Sequence, residues 1–548
     1  MNIHLKNSLI ALTVFCFFSN TTATAQLMDG QKKFTRADSL RGTLSPERSC
    51  FDVKFYHLNI KVDPKAQTVA GYNDISLKAE TDFKRIQIDL FDNMKVDSIV
   101  WSGQQLKYSR EFNAVFIDFP ETVTKGSNQT LRFYYSGKPI VAARAPWDGG
   151  FVWKKDAAGD DWVGVACQGT GASLWWPNKD HQSDEPDSMM ISVAVPSKLM
   201  DVSNGRLRKK EDLGNGFMRY DWFISNPINN YDVTVNIANY QHFSDKVNKL
   251  DMDYYVLPEN LEKAKKQFQQ AKSMITCFEK YFGEYPFTSD GYKLVDTHYL
   301  GMEHQSAVAY GNKYTNGYLG RDISGTGIQL RFDYIIIHES GHEWFGNSVT
   351  SKDIADMWIH ESFTTYAEAV YVECMYGHSD YLKYVNGYKT RVSNDAPIIG
   401  PYGVNQEGSG DMYPKGALML NTIRSIINND DVWYSILKGI PTDFRHKTTS
   451  TDEIITYVNR KAGIDLTKVF YQYLKYPHIP ELELKKEGTA ALYRWKADVA
   501  GFDMPIKVDI GKGWQVIKPG QEWKKLENCD PSTIKLATDL YYFNVSKS

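Results

Sequence analysis

The chain has 548 residues, with 63 Lys and Arg against 66 Asp and Glu, a net charge of −3. That length exceeds what one hydrophobic core serves and asks for about two to four domains. The near balance of charge argues for neither nucleic acid nor an acidic membrane surface as a partner.

At the N-terminus, Lys6 precedes the apolar run Leu9-Ile10-Ala11-Leu12-Thr13-Val14-Phe15-Cys16-Phe17-Phe18, and Ala23-Thr24-Ala25 closes the segment. A charged start, an apolar middle and an A-x-A end make a secretory signal peptide, expected over residues 1–25 and cleaved before Gln26. The periplasm or the exterior is the expected location. The bulk of Phe15 argues against a lipid anchor on Cys16. No later apolar run reaches about 18 residues, so no transmembrane anchor is expected. Cys50, Cys167, Cys277, Cys374 and Cys529 remain after cleavage, without CxxC spacing. That pattern sets up no disulfide framework and leaves one or two bridges open.

Residues 26–49 are polar and without period, and read as a flexible lead-in. From there Tyr56, Leu58, Ile60 and Val62 alternate with His57, Asn59 and Lys61, and Ile86-Gln87-Ile88-Asp89-Leu90 repeats the period of two. Such alternation, broken by turn residues, predicts a mostly antiparallel β domain over residues 50–242. Leu261, Ala264, Phe268, Ala271, Ile275, Phe278 and Phe282 then recur at helical spacing, with Gly283 as the stop. Strand-like Lys293-Leu294-Val295-Asp296 and Ala307-Val308-Ala309-Tyr310 follow, then further helices to about Tyr476. Residues 243–476 therefore form an expected second, mostly helical domain. The period of two returns in Ile506-Lys507-Val508-Asp509-Ile510, so residues 477–548 are expected as a small β-sandwich. The fold class is a multidomain α+β protein.

Chemistry concentrates at His338-Glu339-Ser340-Gly341-His342, followed by Glu361. On a helix, histidines four residues apart share a face and reach one metal ion. A catalytic zinc takes three protein ligands and keeps a fourth position open. His338, His342 and Glu361 are the expected ligands of one zinc ion per chain. Ile335-Ile336-Ile337 before the motif and Trp344-Phe345 after it predict a buried helix, where imidazoles need partners.

His338 through Thr350, HESGHEWFGNSVT, resembles the zinc helix HELAHQWFGNLVT of the gluzincin aminopeptidases, the family of aminopeptidase N and of the leukotriene-hydrolysing enzyme. Trp358-Ile359-His360-Glu361-Ser362-Phe363 resembles that family's WLNEGF, with His360 for Asn and Ser362 for Gly. Leu300-Gly301-Met302-Glu303-His304 resembles its GxMEN signature, with Leu300 for the first Gly and His304 for Asn. Asp411-Met412-Tyr413-Pro414-Lys415-Gly416-Ala417 resembles its YxKGA segment, and Cys167-Gln168-Gly169 through Asp184-Glu185-Pro186 its N-domain stretch ending in DEP. The likeness runs from about residue 50 to residue 475. It implies a thermolysin-like catalytic domain. The family's large C-terminal helical domain has no counterpart in the β pattern after residue 477, and the carboxylate anchoring that domain supplies in the leukotriene-hydrolysing branch is not carried over.

By this resemblance Glu339 is the general base and Tyr413 the donor to the oxyanion. Glu303, Gln168, Gly301 and Met302 bind the substrate, Glu303 and Gln168 at its amino group. Glu368, seven residues after Glu361 on the same helix face, is a candidate partner for a ligand. The expected substrates are peptides with a free N-terminus, and the protein is expected to act as a monomer. The alternatives are another hydrolase on the same zinc site (an endopeptidase or epoxide hydrolase) and a non-catalytic peptide-binding module, which the intact motif disfavours.

Overall fold

A computed structural model describes residues 33–548; the expected signal peptide lies outside the described residues. The described part of the expected lead-in, residues 33–49, differs from expectation. Thr35 and Asp38 close a capping box on a helix Arg36–Gly42, and a second short helix spans Pro46–Ser49. Arg48 explains the order: it is fully buried, with Nη2 on Asp89 Oδ2 at 2.5 Å and Nη1 on the Arg41 carbonyl at 2.7 Å. A buried guanidinium must be paired, and pairing fixes the backbone that carries it.

The first domain is built on an eight-stranded sheet. At its centre, strand Phe51–Asp63 pairs antiparallel with Thr68–Ala79 and parallel with Ser188–Pro196. Tyr56, Leu58, Ile60 and Val62 are all buried, the face the alternation predicts. A four-stranded sheet lies beside it, and its strand Asp161–Ala166 ends just before Gln168.

Sheet membership changes at Gln241. Strands Gln241–Val247, Leu250–Val256, Tyr292–Asp296, Val308–Tyr310 and Gly301–Met302 form a five-stranded sheet in that order, so Gly301–Met302 is an edge. Helices Leu261–Gln267 and Gln269–Phe282 follow the predicted period, and Gly283 ends the second with φ 93°. Cys277 and Cys374 join helix Gln269–Phe282 to helix Trp358–Tyr376 through a disulfide. The apolar core of the first domain continues into this sheet through Val295, Tyr299, Met302 and Ala309. Beyond helix Thr467–Lys475, a four-stranded and a three-stranded sheet make the C-terminal unit, whose Leu482, Leu484 and Trp495 share the catalytic core. Among the described residues, no helix is long and apolar enough to cross a membrane.

Candidate active site

The motif helix is short. Asp333 caps it, accepting from the Ile335 and Ile336 amides, and it runs Tyr334–Gly341 with His342 as its C-terminal cap. The backbone then leaves helical geometry at Phe345 and Gly346, the latter at φ 134°. His338 and His342 still project together: their ring centroids are 5.1 Å apart.

Each imidazole is oriented from behind. His338 Nδ1 lies 2.7 Å from Glu368 Oε1, while His342 Nδ1 meets the Phe345 carbonyl at 3.1 Å and Thr364 Oγ1 at 3.2 Å. Engagement of Nδ1 leaves both Nε2 atoms facing Glu361 Oε2, at 3.7 and 3.4 Å. Glu368 is itself held by the hydroxyls of Tyr384 and Tyr388. Its same-face spacing from Glu361 was legible in the sequence; its two phenol partners carried no motif.

Glu361 comes from helix Trp358–Tyr376. Burial opposes its ionisation, but His342 and His338 outweigh burial and hold its carboxyl below the usual carboxylate range. Its Oε2 is buried without a hydrogen-bond partner. A buried carboxylate oxygen facing two imidazole nitrogens is the donor set a divalent cation of borderline softness takes. Ligating atoms of His338, Glu339 and His342 fall within 4.8 Å of one another, as do those of Glu303, His342 and Glu361. The residues present fit a metal ion.

Glu339 is also buried, and burial pushes its carboxyl up to about 7 against the pull of His338. Gly301 lies against it: a Cβ there would stand 2.7 Å from Glu339 Oε1 and 2.8 Å from Ile335 Cγ2. Only glycine lets the edge strand approach so closely. Tyr413 stacks on His338 with centroids 6.1 Å apart. Burial first, then Glu361, raise its phenol well above the ordinary value, so it remains a proton donor.

Gln168 brings the first domain into the site. Its Nε2 donates to Glu303 Oε1 at 2.7 Å and to Glu361 Oε1 at 3.1 Å. The Asn347 amide holds the Glu303 carbonyl at 2.7 Å. All nine sequence-predicted residues, Gln168, Gly301, Met302, Glu303, His338, Glu339, His342, Glu361 and Tyr413, line one cleft of about 280 Å³. Trp147, Tyr318, Arg391 and Glu407 line it too and were not anticipated, since they lie in turns and short irregular segments without period or motif. Burial pushes the Glu407 carboxyl up to about 7, with Glu361 and Glu303 adding to it. His304 and His360, two of the departures from the family pattern, are both fully buried and outside the cleft lining.

Residues 266–473 match the Peptidase family M1 domain. The chain is 21% identical over 459 residues to a leucyl aminopeptidase of Saccharolobus solfataricus, covering 80% of this chain and 55% of that protein. It is 21% identical over 455 residues to the tricorn protease-interacting factor F2 of Thermoplasma acidophilum, covering 80% of this chain and 54% of that protein. The chain thus spans about half the length of the curated relatives it matches. Among solved structures, an M1 zinc metallopeptidase of Deinococcus radiodurans bound to a Tyr-Ser-Ala substrate superposes with a TM-score of 0.65 at 19% identity, over 80% of this chain and 97% of that one. The fold, the converging histidines and carboxylates and the matched segment agree: this chain carries a peptidase family M1 domain.

Proposed function

We propose that the protein is a zinc-dependent aminopeptidase that removes single residues from the free N-terminus of peptides. One observation carries the proposal: a buried carboxylate that suits an α-ammonium, Glu303, sits one amide away from the metal-site carboxylate Glu361. An exopeptidase needs this juxtaposition, because the amine must be recognised within one residue of the bond that breaks.

His338, His342 and Glu361 would hold the metal, whose chemistry when bound is to polarise the scissile carbonyl and acidify a water. The remaining steps belong to the chain's own residues. Glu303 pairs with the substrate's ammonium through Oε2, while Gln168, with its NH₂ committed to two carboxylates, offers Oε1 as an acceptor. The edge strand Gly301–Met302 offers backbone groups to an extended peptide. Glu339 takes a proton from the attacking water and returns it to the leaving amine. Tyr413 donates from its phenol to the oxyanion.

Supporting an extracytoplasmic location is the N-terminal sequence, and N-terminal sequencing of the exported chain should begin at Gln26. A panel of free and N-acetylated aminoacyl-arylamides, with and without chelator, tests the activity. Hydrolysis of free substrates only, lost with chelator and restored by zinc, is the expected result. Equal cleavage of free and blocked substrates would remove the aminopeptidase assignment while leaving the metal site standing.

A further inference from the structure

His360 occupies the position where the family pattern has Asn, next to Glu361, and it is buried and outside the cleft lining. Its Nε2 accepts the Ser351 backbone N–H at 2.9 Å. A ring nitrogen that accepts carries no hydrogen, so the neutral imidazole has its hydrogen on Nδ1. That Nδ1 lies 3.4 Å from the Tyr231 hydroxyl, which therefore accepts from it. The hydroxyl's own hydrogen is left to point at Glu303 Oε1, 3.1 Å away. A chain of hydrogen bonds thus starts on a main-chain amide, passes through two buried rings and ends on the carboxylate.

The far end has a second consequence. Glu303 Oε1 accepts from both Tyr231 and Gln168, at 3.1 and 2.7 Å. Two donors fix that oxygen and leave Oε2 for the cleft. An Asn at position 360 is shorter by the depth of a ring and does not span from the Ser351 amide to Tyr231.

We propose that His360, acting through Tyr231, is a positioning residue that sets the orientation of Glu303 and so governs how tightly the α-ammonium is bound. The proposal rests on the aminopeptidase assignment made above. It concerns ground-state recognition of the amine and leaves metal binding to other residues.

The test compares two inhibitors on the zinc-loaded full chain: an amino-acid hydroxamate and its des-amino analogue with the same side chain. Both chelate the metal, and only one carries the ammonium. Tyr231→Phe, which removes one oxygen and keeps the ring, and His360→Leu should each weaken the amino compound about tenfold, the loss of one hydrogen bond to a charged group. Binding of the des-amino compound should stay within about twofold on the same accounting. His360→Gln, which can accept from Ser351 and donate to Tyr231, should recover most of the loss. In a Glu303→Ala background neither substitution should have further effect. Equal weakening of both inhibitors, or an effect that persists without Glu303, would overturn the proposal and make His360 a packing residue. If the wild type does not distinguish the two inhibitors, the aminopeptidase assignment falls, and this proposal with it.

Discussion

Glu339, Glu368 and Tyr413 surround the same two imidazoles, yet replacing each should fail in a different way. Glu339→Gln should keep its metal and lose turnover by about 10²–10⁴-fold, the span of general-base contributions; metal analysis and kcat on one preparation check it. Glu368→Ala frees the ring of His338, so zinc should bind about 10–100-fold more weakly in a chelator competition. Tyr413→Phe should lower kcat by roughly 10²–10³-fold with little change in metal content. At this scale the sequence was informative where chemistry requires fixed spacing. His338, His342 and Glu361 are proposed ligands because one metal ion would constrain their spacing, and Glu368 stood out because it repeats a helix face. The link from Gln168 to Glu303 and Glu361 spans 135 and 193 positions. Only the family pattern pointed to Gln168, and nothing local pointed to Tyr231.

Helix ends and helix contacts make the next scale. Asp333 caps the motif helix and also accepts from Tyr310, Gln267 and Asn312 at 2.7 to 2.8 Å. Burial nevertheless pushes its carboxyl up to about 6. An unfolded Asp titrates near ~3.9, so from there up to about 6 the folded chain holds more protons, and stability falls as pH rises through that window. The group's contribution is full below the unfolded value and lost above the folded one, on the order of 3 kcal/mol in all. Asp333→Asn should be less stable overall and should show a shallower decline between about pH 4 and 6, measured by denaturant unfolding. A second contact ties helix Trp358–Tyr376 to helix Pro414–Ile427: a Cβ on Gly416 would stand 1.9 Å from Ser362 Oγ, whose hydroxyl donates to the Met412 carbonyl at 2.6 Å. Gly416→Ala should cost about 1–3 kcal/mol by overpacking, and adding Ser362→Gly should restore most of it. The motif spacing and the family resemblance pointed to these helices, whereas periodicity pointed to the run from Leu261 to Phe282. The break at Gly346 and the helices over residues 36–49 were not legible in this way, because each engages a distant partner: Asn229 on the Gly346 carbonyl in one case, Asp89 on Arg48 in the other.

For the molecule as a whole, the metal site is also a question of stability. Glu303, Glu339 and Glu361 are all buried in one cleft. A cation bound only by the folded state offsets that charge and stabilises by mass action. Chelator should lower the Tm by several degrees and zinc should restore it, whereas Glu361→Ala should show no such response. Alternation along Phe51–Asp63 predicted which face of the strand is buried, and the described structure agrees. It could not predict the partners: the parallel pairing of Phe51–Asp63 with Ser188–Pro196 brings together segments over a hundred residues apart, and a period of two is silent about neighbours. The joining of the first domain's core to the catalytic sheet through Met302 was hidden for the same reason.

Gln168 also turns the cleft into a caliper. A single amide nitrogen touches both Glu303 and Glu361, at 2.7 and 3.1 Å, so on the proposed function one group sets the gap between amine and metal. An α-amino acid puts one carbon between its amine and its carbonyl, and the proposed function matches the gap to that spacing. A peptide that begins with β-alanine carries one extra methylene between amine and carbonyl, overshoots the gauge, and should be cut far more slowly than its α-alanine counterpart. The molecule would then count its substrate by length before it reads any side chain.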